Sequence, residues 1–282
     1  MASVPGEEPQ LYFEEYGSGD PVLLIHGFGA SSYSWRYLGP ELAKRHRVIL
    51  VDLKGFGKSP KPLDEHYSIH DQVRLVSNLI REHDLTGVTL VGHSYGGGVA
   101  LLLAMHLSGD ARYAPRRLIL IDNVAFRQRL PFFVRLLQSP AGALVVAVLP
   151  NRLLVRNILE LAYFDDGKIP AESVTAYAQA LESRGGRHAL VRTAECIMPP
   201  DIDALPARYG DIKVRTLILW GREDEIVPLA IGERLHRALG YSRLVVVDRC
   251  GHIPHEECPE VAAQAVLKFL DETLADAAPA AS

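Results

Sequence analysis

Six short runs of consecutive apolar, often β-branched residues punctuate the chain: Pro21–Ile25, Arg47–Val51, Gly87–Val91, Arg117–Ile121, Val214–Leu219 and Arg243–Val247. A strand with one wet face alternates apolar and polar residues, so uninterrupted runs suit strands covered on both faces. Stretches with apolar residues at helical spacing separate them, at Ser34–Arg45, Ile69–His83, Gly96–Leu107, Leu229–Leu239 and Glu260–Leu274. Strands alternating with helices predict an α/β fold built on a mostly parallel, doubly wound sheet.

Between Asp122 and Lys213 the alternation stops. Helical apolar patches at Leu130–Leu137 and Val174–Leu181 take over, broken by Pro131, Pro140, Pro150, Pro170 and Pro199-Pro200. This predicts a helical cap over residues 124–209, inserted into a core formed by residues 1–123 and 210–282. The longest apolar stretch, Ala141–Leu149, is too short to span a bilayer and reads as a buried or pocket-lining helix. With Phe126, Phe132, Phe133, Leu136, Leu137, Leu144, Val145 and Val146 the cap is expected to enclose an apolar pocket for acyl or aryl groups. From Asp271 the chain turns Ala-rich and is expected to fray.

Composition narrows the partners. A chain of 282 residues buries a large core, and a net charge of −4 without a Lys/Arg block gives no electrostatic footprint for nucleic acid or an anionic membrane. A small, uncharged or weakly charged molecule is the expected partner, with no stable membrane insertion. The opening Met1–Glu8 lacks a basic segment followed by an apolar one, so a cytoplasmic location is expected. Three cysteines, Cys196, Cys250 and Cys258, have neither metal-ligand spacing nor an even count and are read as free thiols.

The chemistry concentrates where apolar runs end. Gly92-His93-Ser94-Tyr95-Gly96 follows one run and opens a helical pattern, the context in which a sharp strand-to-helix turn lifts a serine hydroxyl above a sheet. Such a hydroxyl needs a base, and of the eleven histidines His252 stands just after the last apolar run, at the same edge as Ser94. His26 reads as structural in its loop and His255 as a surface residue. An acid must orient the imidazole. Asp224, after the run ending in Trp220, is preferred over its neighbour Glu223 and over Asp122, which also ends a strand at this edge. The backbone amides of Phe28, in His26-Gly-Phe-Gly29, and of Tyr95 are candidate donors to an oxyanion, and their side chains candidate pocket walls.

Other motifs lead elsewhere and stop short. Gly57-Lys58-Ser59 would complete a phosphate loop only with glycine at Asp52. Gly27-x-Gly29-x-x-Ser32 with Asp52 downstream resembles a dinucleotide fingerprint whose last glycine is Ser32. His66 and His70 have metal-ligand spacing without the adjacent glutamate of the metalloprotease motif, and read as a solvated helix entrance. No cofactor and no metal are therefore expected. A ligand receptor that keeps the triad without turnover is the non-enzymatic alternative.

His26-Gly-Phe-Gly29, Asp52-Leu-Lys-Gly-Phe-Gly-Lys-Ser59, Gly92-His-Ser-Tyr-Gly96, Gly221-Arg-Glu-Asp-Glu-Ile-Val-Pro228 and Gly251-His252 make the chain resemble the α/β-hydrolase superfamily from about Leu11 to Leu270, in its serine-nucleophile, esterase-like branch with a helical cap. The resemblance implies an eight-stranded sheet with the cap after the sixth strand, an acyl-enzyme route and no cofactor. Ser94 at the elbow argues against the haloalkane dehalogenases and epoxide hydrolases, which use aspartate there. Carbon–carbon hydrolases of aromatic breakdown, lactonases, perhydrolases and hydroxynitrile lyases share a serine triad. The first of these usually carry an aromatic residue after the histidine, where this chain has Ile253-Pro254. The leading expectation is hydrolysis of a carboxylic ester, with carbon–carbon cleavage as the alternative.

Overall fold

The computed structural model describes residues 8–272. Seven strands form one sheet: β1 (Phe13–Tyr16), β2 (Pro21–Ile25), β3 (Arg47–Val51), β4 (Thr89–His93), β5 (Arg117–Ile121), β6 (Arg215–Gly221) and β7 (Ser242–Val247), in the order β1-β3-β2-β4-β5-β6-β7. Only β1 is antiparallel, and the others run parallel. The register pairs Ile25 with Gly92, His93 with Ile121 and Ile121 with Leu219, so β2, β4, β5 and β6 finish level along one edge.

Each strand sends alternate residues to opposite faces. Leu23, Ile25, Leu90, Leu118, Leu120 and Trp220 join one core. Val22, Leu24, Val91, Ile119, Ile121 and Leu219 join the other. Helices α1 (Leu38–Ala43) and α11 (Pro259–Asp271) supply Leu42, Val266 and Phe269 to the second core. The first is covered by α2 (Ile69–Glu82), α3 (Ser94–Leu107) and α9 (Leu229–Ala238) through Val76, Val99 and Leu235. A reciprocal capping box between Ser68 and Asp71 starts α2. Helix α3 is buried on every side except at His106, which explains its uniformly apolar sequence.

Between β5 and β6 lie α4 (Phe132–Leu137), α5 (Gly142–Val148), α6 (Asn151–Ala162), α7 (Ala171–Ala178) and α8 (Arg184–Glu195), and α10 (Pro254–Glu257) precedes α11. The described sheet has seven strands where the resemblance implied eight, so this helical segment follows the fifth strand and not the sixth. Before β1, Glu8–Tyr12 form no strand, and Tyr12 instead bonds Ser59 Oγ through its amide and the Asp52 amide through its carbonyl. Helix α5 is also not the buried helix expected, since Leu144 and Val148 face outward. Among the described residues no helix is long and apolar enough to cross a membrane. The expected fraying from residue 273 onward, the end of the predicted Glu260–Leu274 helix and the reading of residues 1–7 lie outside the described residues.

The edge is assembled by close backbone approach. A Cβ on Gly96 would lie 2.2 Å from the carbonyl oxygen of His26 and 2.4 Å from that of Ile25, and neither can move without displacing β2. Gly96→Ala is therefore expected to cost about 3 kcal/mol, near the top of the overpacking range, read as a lower urea midpoint at unchanged slope. A loss below about 0.5 kcal/mol would show that the turn has slack.

Candidate active site

Strand β4 delivers Ser94 to the edge and α3 begins on it, forcing its backbone to φ 53°, a left-handed conformation costly for a residue with a Cβ. Val124 N–H donates to the Ser94 carbonyl at 3.2 Å and helps to hold the turn. The loop after β7 brings His252 above it. His252 Nδ1 lies 2.7 Å from Asp224 Oδ2, and Nε2 lies 2.8 Å from Ser94 Oγ. A carboxylate only accepts, so Nδ1 carries the proton, and Nε2 is left to accept the Ser94 hydroxyl. Asp224 Oδ1 takes the amides of Ile226 and Val227 at 2.8 and 2.9 Å, which fixes the carboxylate in the turn after β6.

The two other acids considered serve differently. Glu223 accepts the Cys250 amide at 2.9 Å. Asp122, also in the left-handed region at φ 43°, is fully buried behind the pair. Its Oδ1 accepts Gly221 N–H at 2.9 Å. Burial, then the charge of Asp224, push its carboxyl well above the usual range. Asp122, Asp224 and His252 each place one ligand atom within 4.8 Å of the others, and the atoms of the last two are already joined by the hydrogen bond described.

The loop that carries His252 is clamped on three sides. His252 N–H donates to the Ala162 carbonyl at 2.7 Å, and His93 Nε2 donates to the His252 carbonyl at 2.8 Å. Buried Glu257 collects the amides of Gly251 at 2.7 Å, Asp165 at 2.9 Å and Phe164 at 3.1 Å, tying this loop to the end of α6. His255 is fully buried and not at the surface as expected. It stacks on Trp35, its Nε2 lies 2.9 Å from Ser34 Oγ, and burial followed by the charges of Arg36 and His252 brings its pKa down to about 3. Burial likewise holds His93 well below the usual histidine range, and both rings are neutral.

His26 is structural, as its loop position suggested: Nδ1 donates to the Gly27 carbonyl at 2.8 Å and Nε2 accepts Leu53 N–H at 3.0 Å. Asp52 spends both oxygens inside the chain, on the amides of Ser32 and Lys58 at 2.6 and 2.7 Å, and so closes the loop that resembled a dinucleotide fingerprint. His70 sits exposed against Asp201 at 3.0 Å.

A cavity of about 140 Å³ opens over Ser94 and His252. Phe28, Phe133, Leu137, Val155, Ile158, Leu159, Leu181, Leu190, Ile226 and Ile253 line it. Ser34, Tyr177 and Glu256 add polar groups, with Glu256 ion-paired to Arg36 at 2.7 Å and accepting the Tyr177 hydroxyl. Only Phe133 and Leu137 of the cap residues expected in the pocket are there. Phe126 and Val146 are core, whereas Phe132 and Leu144 are exposed. The Tyr95 side chain is likewise packed in the core below the sheet edge and does not wall the pocket, whereas Phe28 does.

The family model for the alpha/beta hydrolase fold matches residues 20–259. The chain belongs to this family. It is 29% identical over 258 residues, 89% of this chain and 88% of the relative, to a 2-hydroxy-6-oxo-2,4-heptadienoate hydrolase of Pseudomonas putida. It is 30% identical over 268 residues, 93% of this chain and 90% of the relative, to a 2-hydroxymuconate semialdehyde hydrolase of a Pseudomonas species. The structure of an esterase from Exiguobacterium antarcticum superposes with a TM-score of 0.78 at 25% identity, covering 93% of this chain and 96% of that one.

The buried neutral histidines bear on acid stability. In the unfolded chain His255 protonates near its ordinary value of about 6.5, but in the folded chain only near 3. Below about pH 6.5 the unfolded state therefore binds the extra proton, so the stability tied to His255 is complete above that pH and falls as the pH drops. His255→Gln is expected to flatten the pH dependence of unfolding free energy between about pH 4 and 6 by roughly 1.4 kcal/mol per unit relative to wild type. Equal slopes in denaturant titrations of the two proteins would show that this ring is protonated in the fold.

Proposed function

We propose that this hydrolase cleaves the carboxylic ester of a small, neutral, largely apolar substrate. Ser94 Oγ attacks the carbonyl carbon while its proton passes to His252 Nε2, and the Asp224 carboxylate stabilises the imidazolium. The amides of Phe28 and Tyr95 receive the oxyanion. Tyr95 stands at the first turn of α3, where helical N–H groups have no intrahelical acceptor and the helix dipole favours negative charge. His252 then protonates the departing alcohol, and a water activated by the same nitrogen hydrolyses the acyl-enzyme.

The observation that carries this reading is the lining. Among the described residues, the lining of the cavity around Ser94 includes no arginine or lysine, and its one carboxylate, Glu256, is already paired. The relatives named for a heptadienoate and a muconate semialdehyde act on molecules whose names denote carboxylates. Such an anion would enter this cavity with no cation to meet it and with Glu256 nearby, at an electrostatic cost. Ile253 beside His252 also departs from the aromatic residue usual in the carbon–carbon hydrolases. Relatedness to those enzymes supports the second reading, carbon–carbon cleavage of a dienoate through the same three residues.

Turnover of a p-nitrophenyl ester series, and separately of a 2-hydroxy-6-oxo-dienoate, tests the two against each other. The expected result is kcat/KM rising from acetate to a short apolar acyl chain and then falling as the cavity fills, with the dienoate turned over far more slowly. Turnover of the dienoate alone would establish the second reading.

Ser94→Ala is expected to lower kcat by a factor on the order of 10⁴ or more while leaving the unfolding midpoint within a few degrees of wild type. Undiminished activity in that variant would remove Ser94 from the chemistry.

A further inference from the structure

From Val124 to Leu159 the chain has five arginines and no aspartate or glutamate, although the whole protein carries a net charge of −4. This stretch forms α4, α5 and all but the last turn of α6, where exposed Glu160 pairs with Arg156 at 2.7 Å; Arg127 pairs with Asp203 at 2.9 Å, and Arg129, Arg135 and Arg152 face no carboxylate among the described residues. Its outer face exposes large apolar side chains: Phe132 is 72% exposed, Leu144 64%, Val148 69% and Leu153 51%. Phe132 shares a face of α4 with exposed Arg135, three residues on, and Leu144 and Val148 share a face of α5, four residues apart. Helix α6 follows after Leu149-Pro150 and adds exposed Arg152 beside Leu153. The inner faces of α4 and α6 line the cavity through Phe133, Leu137, Val155 and Leu159, so this surface lies directly over the site.

We infer that this outer face is a docking surface for a lipid bilayer containing anionic headgroups. Exposed apolar residues interleaved with Arg129, Arg135 and Arg152 match the acyl and headgroup layers of such a surface together, and the acids nearby, Glu160 and Asp203, are each neutralised by an arginine of the same stretch. A second copy of the chain fits less well, because the carboxylates here, Glu160 and Asp203, are already paired within the chain and leave Arg135 and Arg152 none to meet across a two-fold interface. Docking here is peripheral and reversible, and it needs no spanning helix.

Co-sedimentation of the full-length protein with vesicles of phosphatidylcholine, alone or mixed with phosphatidylglycerol, tests this. The mixed vesicles should bind about tenfold more protein, and added salt should weaken that binding. Val148→Asp with Leu144→Asp should reduce binding about tenfold, and Arg129→Gln with Arg135→Gln and Arg152→Gln should abolish the preference for phosphatidylglycerol, both at an unchanged thermal midpoint. Absence of binding by wild type, or equal binding by the variants, overturns the proposal. So does a wild-type dimer in equilibrium sedimentation that becomes monomeric with Val148→Asp and ignores vesicles, which would make the face a self-association interface. These readouts are independent of which ester, if any, is cleaved.

Discussion

The molecule is organised around a crowding problem at one point of the sheet edge, where β2, β4 and the start of α3 bring three stretches of backbone closer than side chains allow. A Cβ on Gly92 would lie 2.4 Å from the Gly96 carbonyl oxygen, one on Gly96 2.2 Å from the carbonyl oxygen of His26, and one on Gly27 2.9 Å from the His93 ring. Ser94 is the residue that keeps a side chain in the middle of this turn, and it does so in a left-handed conformation. The elbow thus holds its hydroxyl by confinement, and the rest of the site is arranged relative to it.

Around that point the chain places more ionisable groups than the proposed chemistry uses. His93, His255, Asp122, Glu256 and Glu257 are buried within the walls. Burial holds the two histidines below the usual range, hence neutral, and pushes the Asp122 carboxyl above its own. Glu257 is satisfied by backbone amides and Glu256 by Arg36, Ser34 and Tyr177. His252 is set apart by position: one nitrogen faces a carboxylate, the other a hydroxyl that opens onto the cavity.

The parts of this arrangement that were legible in the sequence are those with a local signature. The six parallel strands announce themselves as unbroken apolar runs, and Ser94, Asp224 and His252 each follow such a run in the order the family uses. Strand β1 was not legible, because Phe-Glu-Glu-Tyr at a sheet edge carries no apolar run. The burial of His255 and the anchoring role of Glu257 were hidden for a different reason: nothing in a His-Glu-Glu stretch reveals that the chain folds back over it. The outward turn of α5 was misread since apolar content alone does not say which neighbour, protein or otherwise, a helix meets.

The three amides gathered by Glu257 have a mechanical meaning. The carboxylate joins the loop of His252 to the end of α6, and the Ala162 carbonyl adds a second bond to His252 itself. This corner of the cap cannot lift without dragging the histidine off Ser94. The placement of the imidazole over Ser94 is thereby coupled to the end of α6, so that any displacement of that helix end is transmitted to His252 through these bonds.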